Sequence, residues 1–144
     1  MILGAAGLAL IKSFEQCRLA AYQDQRGVWT VGWGHTGPAV TAQSVCSQAD
    51  ADAWLLQDTL TAQKTINSLV DVALTQDQFD ALVSFVFNVG SGNFSSSTLL
   101  RYINQGPLPA AADEFLRWDH VNGVTDAGLA RRRAAERALF LGLG

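Results

Sequence analysis

The sequence is short of the residues that metal, nucleotide and disulfide chemistry rely on. Two cysteines, Cys17 and Cys46, permit one bridge and cannot build a disulfide framework. No CxxC, HExxH or clustered His/Cys spacing occurs, so no metal site is expected. GxGxxG, GxxxxGK(S/T) and GxSxG are absent too, which removes the usual nucleotide cradles and the serine-hydrolase elbow; no cofactor is expected. Three prolines and thirteen glycines are too few for a collagenous or low-complexity chain. Charge is sparse at 16% against 49% hydrophobic residues, which excludes intrinsic disorder. The net charge of −3 and pI near 5.1 argue against nucleic acid or an anionic membrane as a partner gripped by bulk charge. Residues 1–100 carry four Lys/Arg and eight Asp/Glu, and residues 101–144 six and five, so only the second part is mildly basic. The longest apolar run, Ile2 to Ile11, has ten residues. That is below the ~18–20 of a membrane span. It is followed by Lys12-Ser13-Phe14-Glu15 and not by a small-residue cleavage site. No integral membrane segment is expected.

What is present reads as one domain of 144 residues, since single cores typically serve ~100–200 residues. Leu3, Leu10, Ile11 and Phe14 fit one face of a first helix, with Ala6 and Gly7 beside them. Residues 19–34 read as a hairpin: a strand over Leu19–Asp24, a type I turn over Asp24–Gly27, and a β-branched and aromatic return over Val28–Trp33. Beyond Val45 the pattern is helical throughout. Ser47-x-x-Asp50 starts a long helix through Trp54, Leu55, Ile66 and Leu69. Thr75-x-x-Gln78 caps the next, whose face is Phe79, Leu82, Val83, Val86 and Val89 and whose end is Gly90. Thr98–Gln105 is a short helix closed by Gly106. Pro109 suits the first turn of a helix through Phe115 and Trp118, and the last helix runs from Thr125 to Leu141. The expected class is α+β, a small β lobe near the N-terminus and a larger helical body.

Two carboxylic acids draw attention. Glu15 is placed in the last turn of the first helix, where the helix dipole and apolar neighbours such as Phe14 raise a carboxyl pKa, as a general acid needs. Asp24, in a polar turn beside Arg26, is expected to stay ionised. Carboxyl groups whose environments drive their pKa values apart are the pattern of glycosidase acid/base work. Thr30, on the return strand, carries a hydroxyl able to orient a water. The plain alternative stands beside this: a Glu at a helix end is usually solvated, and an Asp commonly opens a type I turn.

The order of motifs supplies context. Glu15, Asp24 nine residues on, Thr30 six further, then Gly32-Trp33-Gly34-His35, resemble the signature of phage-type lysozymes, glycoside hydrolase family 24. The likeness continues in Gln78–Leu82, Phe87-Asn88-Val89-Gly90, Ser97–Arg101, Ala111–Trp118 and Arg131–Arg137, and so spans residues 7–141. It implies a lysozyme-like fold over residues 1–144, with a β lobe about residues 19–46 and a helical body of residues 1–18 and 47–144, joined by the long helix. The implied activity is a muramidase that hydrolyses the β-1,4 bond between N-acetylmuramic acid and N-acetylglucosamine of peptidoglycan for host-cell lysis, by inverting single displacement. The implied roles are Glu15 as acid, Asp24 as stabilising carboxylate and Thr30 as its hydroxyl partner. Asn88, Arg117 and Trp118 are candidate substrate contacts, and His35 a structural lock on the β lobe. The Arg131–Arg133 run reads as a solvated helix face, with a contact for peptide-stem carboxylates as the alternative.

The resemblance also implies a monomer that partners peptidoglycan, accumulates in the host cytoplasm and acts on the wall after a separate permeabilising protein, a holin, opens the membrane. In the family fold the helix ends carrying Cys17 and Cys46 meet, so a bridge between them is open. It would close a loop of about 30 residues, worth roughly 3–4 kcal/mol, with two packed free thiols as the equal alternative. Two competing readings are a lytic transglycosylase, which needs neither second carboxylate nor threonine, and a binding module that has lost activity.

Overall fold

The computed structural model describes residues 1–143 of the chain. It contains eight α-helices and two small antiparallel sheets among the described residues, an α+β chain as the patterning indicates. These divide into two compact units, residues 11–60 and residues 1–10 with residue 61 onward.

Residues 11–60 hold the end of α1 (Ala5–Phe14), strands β1 (Arg18–Gln23) and β2 (Trp29–Gly32), and α2 (Gln48–Asp58). The hairpin forms where it was expected. Gly27 N–H donates to the Asp24 carbonyl at 2.9 Å, closing the turn, and Tyr22 stands opposite Thr30. A third segment joins the other edge of β1, where Ala20 bridges to Val45 and the Cys46 N–H donates to the Leu19 carbonyl at 2.9 Å. α2 begins with the reciprocal capping box of Ser47 and Asp50. Its buried face, Ala51 and Leu55, meets β2 so closely that a Cβ on Gly32 would lie 3.2 Å from the Ala51 Cβ.

The long helix expected from Ser47 to Leu69 is interrupted at Thr59, which separates α2 from α3 (Leu60–Leu69). The Thr59 hydroxyl donates to the Leu56 carbonyl at 2.7 Å. Such a local bond competes with the helical ladder, and threonine is prone to it.

The other unit is built on α4 (Gln76–Val89), capped by Thr75 and Gln78 and ended by Gly90 as expected. Phe79, Leu82, Val83 and Phe85 have no accessible surface. Around them lie α5 (Ser91–Ser95), α6 (Thr98–Gln105), α7 (Leu108–Glu114) with a 3-10 turn over Phe115–Arg117, and α8 (Ala127–Phe140). Phe85 organises the aromatic core, edge-on to Phe115 at 5.3 Å, Trp118 at 5.7 Å and Phe94 at 6.4 Å.

Residues 118–126 correct the sequence reading. The stretch is not wholly helical: β3 (His120–Val121) and β4 (Val124–Thr125) pair through an Asn122-Gly123 turn with both residues at positive φ, and α8 then starts from an Asp126 cap. Asn-Gly is the preferred dipeptide for such two-residue hairpins. The arginine run is corrected too. Only Arg131 faces solvent, whereas Arg132 and Arg133 are 4% and 0% exposed against a fully buried Glu136. Arg133 Nε lies 2.7 Å from Glu136 Oε1, and the Ser84 hydroxyl donates to Oε2 at 2.6 Å. Burial pushes the Glu136 carboxyl up and the Arg133 guanidinium down, each opposed by its partner.

The start of α1 is held by Asp80, a buried carboxylate of α4. It accepts the Gly4 and Gly7 N–H groups at 2.9 and 3.0 Å, in the place where a helix leaves donors unpaired. A Cβ on Gly7 would lie 2.7 Å from the Asp80 Cβ and 2.6 Å from Leu3 Cδ1. Gly7→Ala is therefore expected to destabilise the chain by about 1–3 kcal/mol despite alanine's better helix propensity, read from the urea midpoint. An unchanged midpoint would show that the contact relaxes without cost.

Candidate active site

Glu15 is the first residue beyond α1, not within its last turn. Its N–H still donates to the Ile11 carbonyl at 3.0 Å, so the backbone there follows the helix. The side chain is half-buried, and its Oε2 lies 3.7 Å from where a Cβ on Gly34 would stand. Gly34 has φ +78°, a conformation that a side-chain-bearing residue rarely adopts. One carboxyl oxygen of Glu15 thus lies beside the Gly34 backbone.

Asp24 opens the β1–β2 turn. Its Oδ1 accepts the Arg26 N–H at 2.8 Å and the Val28 N–H at 2.9 Å, while Oδ2 faces the Arg26 guanidinium at 3.7 Å. The Val28 amide, helped by the Arg26 amide and guanidinium, holds its carboxyl below the usual carboxylate range, so it is ionised at neutral pH as expected. One oxygen is spent on the turn; Oδ2 is left toward solvent and Arg26. Thr30 is 3% exposed and donates its hydroxyl hydrogen to the Val28 carbonyl at 2.9 Å. Its oxygen keeps only lone pairs, so toward a water it can act only as an acceptor.

The segment between Thr30 and α2 is folded tightly. Val31 and His35 exchange both backbone hydrogen bonds at 2.9 Å, which encloses Gly32-Trp33-Gly34. Trp33 Nε1 donates to Asp52 Oδ1 at 2.8 Å, and Gln48 and Lys12 approach the same oxygen at 3.1 and 3.2 Å. His35 Nδ1 is 2.8 Å from Asp58 Oδ2, and its ring stacks on Trp54 at 4.7 Å. Asp52 and Asp58, both on α2, are not marked by the sequence, and Trp54 is marked only as an apolar position of that helix. They lie about twenty residues from their partners, and nothing in the pattern of α2 marks its face.

The other sequence candidates lie together in the second unit. Asn88, Arg117 and Trp118 line one cavity, with Asn93, His120 and Arg133, which the sequence did not single out for it. Arg117 is tied to Glu114 at 3.0 Å, and Trp118 is half-buried against Phe85.

The bridge left open between Cys17 and Cys46 is not formed. Both are half-buried free thiols, with the Gln48 amide donating to Cys17 Sγ at 3.6 Å. Burial, and then Cys17 beside it, pushes the Cys46 thiol up, which disfavours the thiolate needed for exchange.

A family profile described as phage lysozyme matches residues 12–136. The chain belongs to the phage lysozyme family. The endolysin of Salmonella phage P22 is 44% identical over 146 residues, covering 98% of this chain and 99% of that protein. The endolysin of Bacillus phage PZA is 44% identical over 142 residues, 97% of this chain but 55% of that one, so the chain spans about half the length of this relative. Among solved structures, the muramidase domain of SpmX from Asticaccaulis excentricus superposes with a TM-score of 0.90 at 43% identity, over 96% of this chain and 97% of that domain. The phage lysozyme fold class expected from the motifs is therefore the one observed. Glu15, Asp24, Thr30 and His35 all fall within the matched span.

The three donors around Asp52 generate a pH signature. The Trp33 indole foremost, then Gln48 and Lys12, hold its carboxyl below the model-peptide value of 3.8. The folded state then binds fewer protons than the unfolded one near that pH, so the stability Asp52 contributes is present above 3.8 and is lost as pH falls through the lowered folded value. Asp52→Asn is expected to lower the Tm at pH 7, with the gap between variant and wild type closing below pH 3.8. A gap that is constant with pH would mean that the carboxylate charge contributes nothing.

Proposed function

We propose that this phage lysozyme family member is a muramidase, cleaving the β-1,4 bond between N-acetylmuramic acid and N-acetylglucosamine of bacterial peptidoglycan, with residues 1–144 acting as one catalytic domain. The observation that carries this reading is the contrast between two carboxyl groups held by a single unit. Asp24 is fixed as a carboxylate by two backbone amides and Arg26 in its own turn, whereas Glu15 is half-buried at the end of α1 beside the Gly34 backbone.

In this reading Glu15 delivers a proton to the glycosidic oxygen as the bond breaks. Asp24 Oδ2 supports the positive charge that develops on the sugar and takes up a proton from the attacking water. Thr30, its own hydrogen committed to Val28, accepts one hydrogen of that water and so aims an oxygen lone pair at the anomeric carbon. Attack from the face opposite the leaving group inverts the configuration; it requires carboxyl groups ~6.5–9.5 Å apart, against ~5–5.5 Å in a retaining enzyme. His35, bonded to Asp58 and stacked on Trp54, is assigned a structural role, keeping Gly34 beside Glu15. Asn88, Arg117 and Trp118 are assigned to substrate contact.

The biological role that follows is host-cell lysis, by an enzyme that accumulates in the host cytoplasm as a monomer and reaches the wall once a holin opens the membrane. Turbidity of peptidoglycan suspensions tests the catalytic reading. Wild type should clear them, and Glu15→Gln should do so at least ~10²–10⁴-fold more slowly with an unchanged Tm, the usual cost of losing a general acid. Near-normal clearing by Glu15→Gln would remove Glu15 from the mechanism. In a separate culture-turbidity assay, producing cells should lyse when their membrane is permeabilised and not before; spontaneous lysis would contradict the dependence on a holin.

A further inference from the structure

Within residues 11–60 one oxygen gathers donors from three segments of the chain. Asp52 Oδ1, on α2, accepts from the Trp33 indole at 2.8 Å and from Gln48 Nε2 at 3.1 Å, and meets the Lys12 ammonium at 3.2 Å. Lys12 also lies over the Trp33 ring, 5.4 Å from its centroid. Gln48 Nε2 reaches on to Cys17 Sγ at 3.6 Å. None of these groups takes part in the proposed chemistry. The side chains of Lys12 and Asp52 are 30% and 42% exposed, and an ion pair so open to water contributes little to stability. What the network fixes is position.

Each partner borders Glu15. Lys12 precedes it by three residues, about one turn back along the end of α1, and Cys17 follows it by two. Trp33 adjoins Gly34, the residue whose backbone lies beside Glu15 Oε2. The helix end that carries the acid and the loop beside its carboxyl group are therefore fastened to one atom. The same loop continues directly from β2, the strand of Thr30, and β2 pairs with β1 up to the turn that holds Asp24. Asp24 is set from within that turn, so its place does not need Asp52. The separation of the two carboxyl groups, which decides whether a water fits between them, does.

We infer that Asp52 is a positioning residue for Glu15, holding the end of α1 against the Trp33 loop through Lys12, Gln48 and the Trp33 indole, and so setting the distance from Glu15 to Asp24. The inference rests on the muramidase reading for its effect on turnover, and on the geometry alone for its effect on where Glu15 stands.

The test compares Asp52→Ala, which removes the acceptor, with Asp52→Asn, which keeps an oxygen for Trp33 and Gln48 and loses only the charge. In peptidoglycan turnover Asp52→Ala should lower kcat about tenfold or more with KM unchanged, since a misplacement of ~1 Å costs up to ~10²-fold. Asp52→Asn should retain more of kcat. Gly7→Ala, which crowds Asp80 instead, should keep the wild-type kcat at temperatures where it is folded, so lost stability alone does not produce the effect. Lys12→Met and Trp33→Phe should each lower kcat by a smaller factor and add little to Asp52→Ala, because all three cut one network. Placement is read without activity from the NMR resonance of the Glu15 carboxyl carbon, assigned by its loss in Glu15→Gln. It should move in Asp52→Ala and stay near its wild-type position in Asp52→Asn, while the Asp24 resonance stays fixed in both. Wild-type kcat in Asp52→Ala, equal losses in the alanine and asparagine variants, or an unmoved Glu15 resonance would each overturn the inference. A wild-type chain that fails to clear peptidoglycan overturns only the muramidase reading, and the Glu15 resonance then still decides the placement.

Discussion

The reciprocal pairing of Val31 with His35 is the constraint on which the candidate active site depends. It forces Gly32-Trp33-Gly34 into a loop that only glycines at both flanks accommodate, with φ of +68° and +78°. From that one loop Trp33 reaches Asp52, His35 reaches Asp58 and Trp54, and the Gly34 backbone is laid beside Glu15. Gly32 serves twice, since its missing Cβ also lets α2 approach β2.

The two carboxyl groups are held by different means. Asp24 is set by its own turn: the Arg26 and Val28 amides and the Arg26 guanidinium hold it, so its ionisation is a local property. Glu15 depends on the end of α1 and on the loop held by α2, which are distant in sequence. The contrast resembles the division in the second unit. There Asp80 anchors the first turn of α1 from α4, and the buried Arg132, Arg133 and Glu136 tie α8 to Ser84. A buried ion cluster of this kind adds little net stability over apolar packing, because desolvation offsets most of the attraction. Its observable consequence is orientation, as the fixed amide of Asn88 shows.

Local signals in the sequence account for much of the fold. The Ser47 and Thr75 caps, the glycines after α4 and α6 and the Asp24–Gly27 turn are all governed by residues within a few positions of one another. What escaped depends on contacts the spacing does not encode. The Arg131–Arg133 run looks solvated by composition, and only the distant Ser84 and Asn88 reveal that two of its members are buried. The helix break at Thr59 was hidden by unbroken apolar periodicity. The β3–β4 hairpin is a different matter, since its signal is the local Asn122-Gly123 turn, set between two helical patterns. The α2 partners Asp52 and Asp58 lie 19 and 23 residues from Trp33 and His35, beyond any local rule.

Product analysis on purified peptidoglycan tests the central claim most directly. Hydrolysis with Asp24 and Thr30 holding a water opposite Glu15 yields fragments one water heavier, ending in reducing N-acetylmuramic acid that NMR first detects as the α anomer. Fragments ending in 1,6-anhydro groups, or a first-formed β anomer, would contradict the assignment of that water to Asp24 and Thr30.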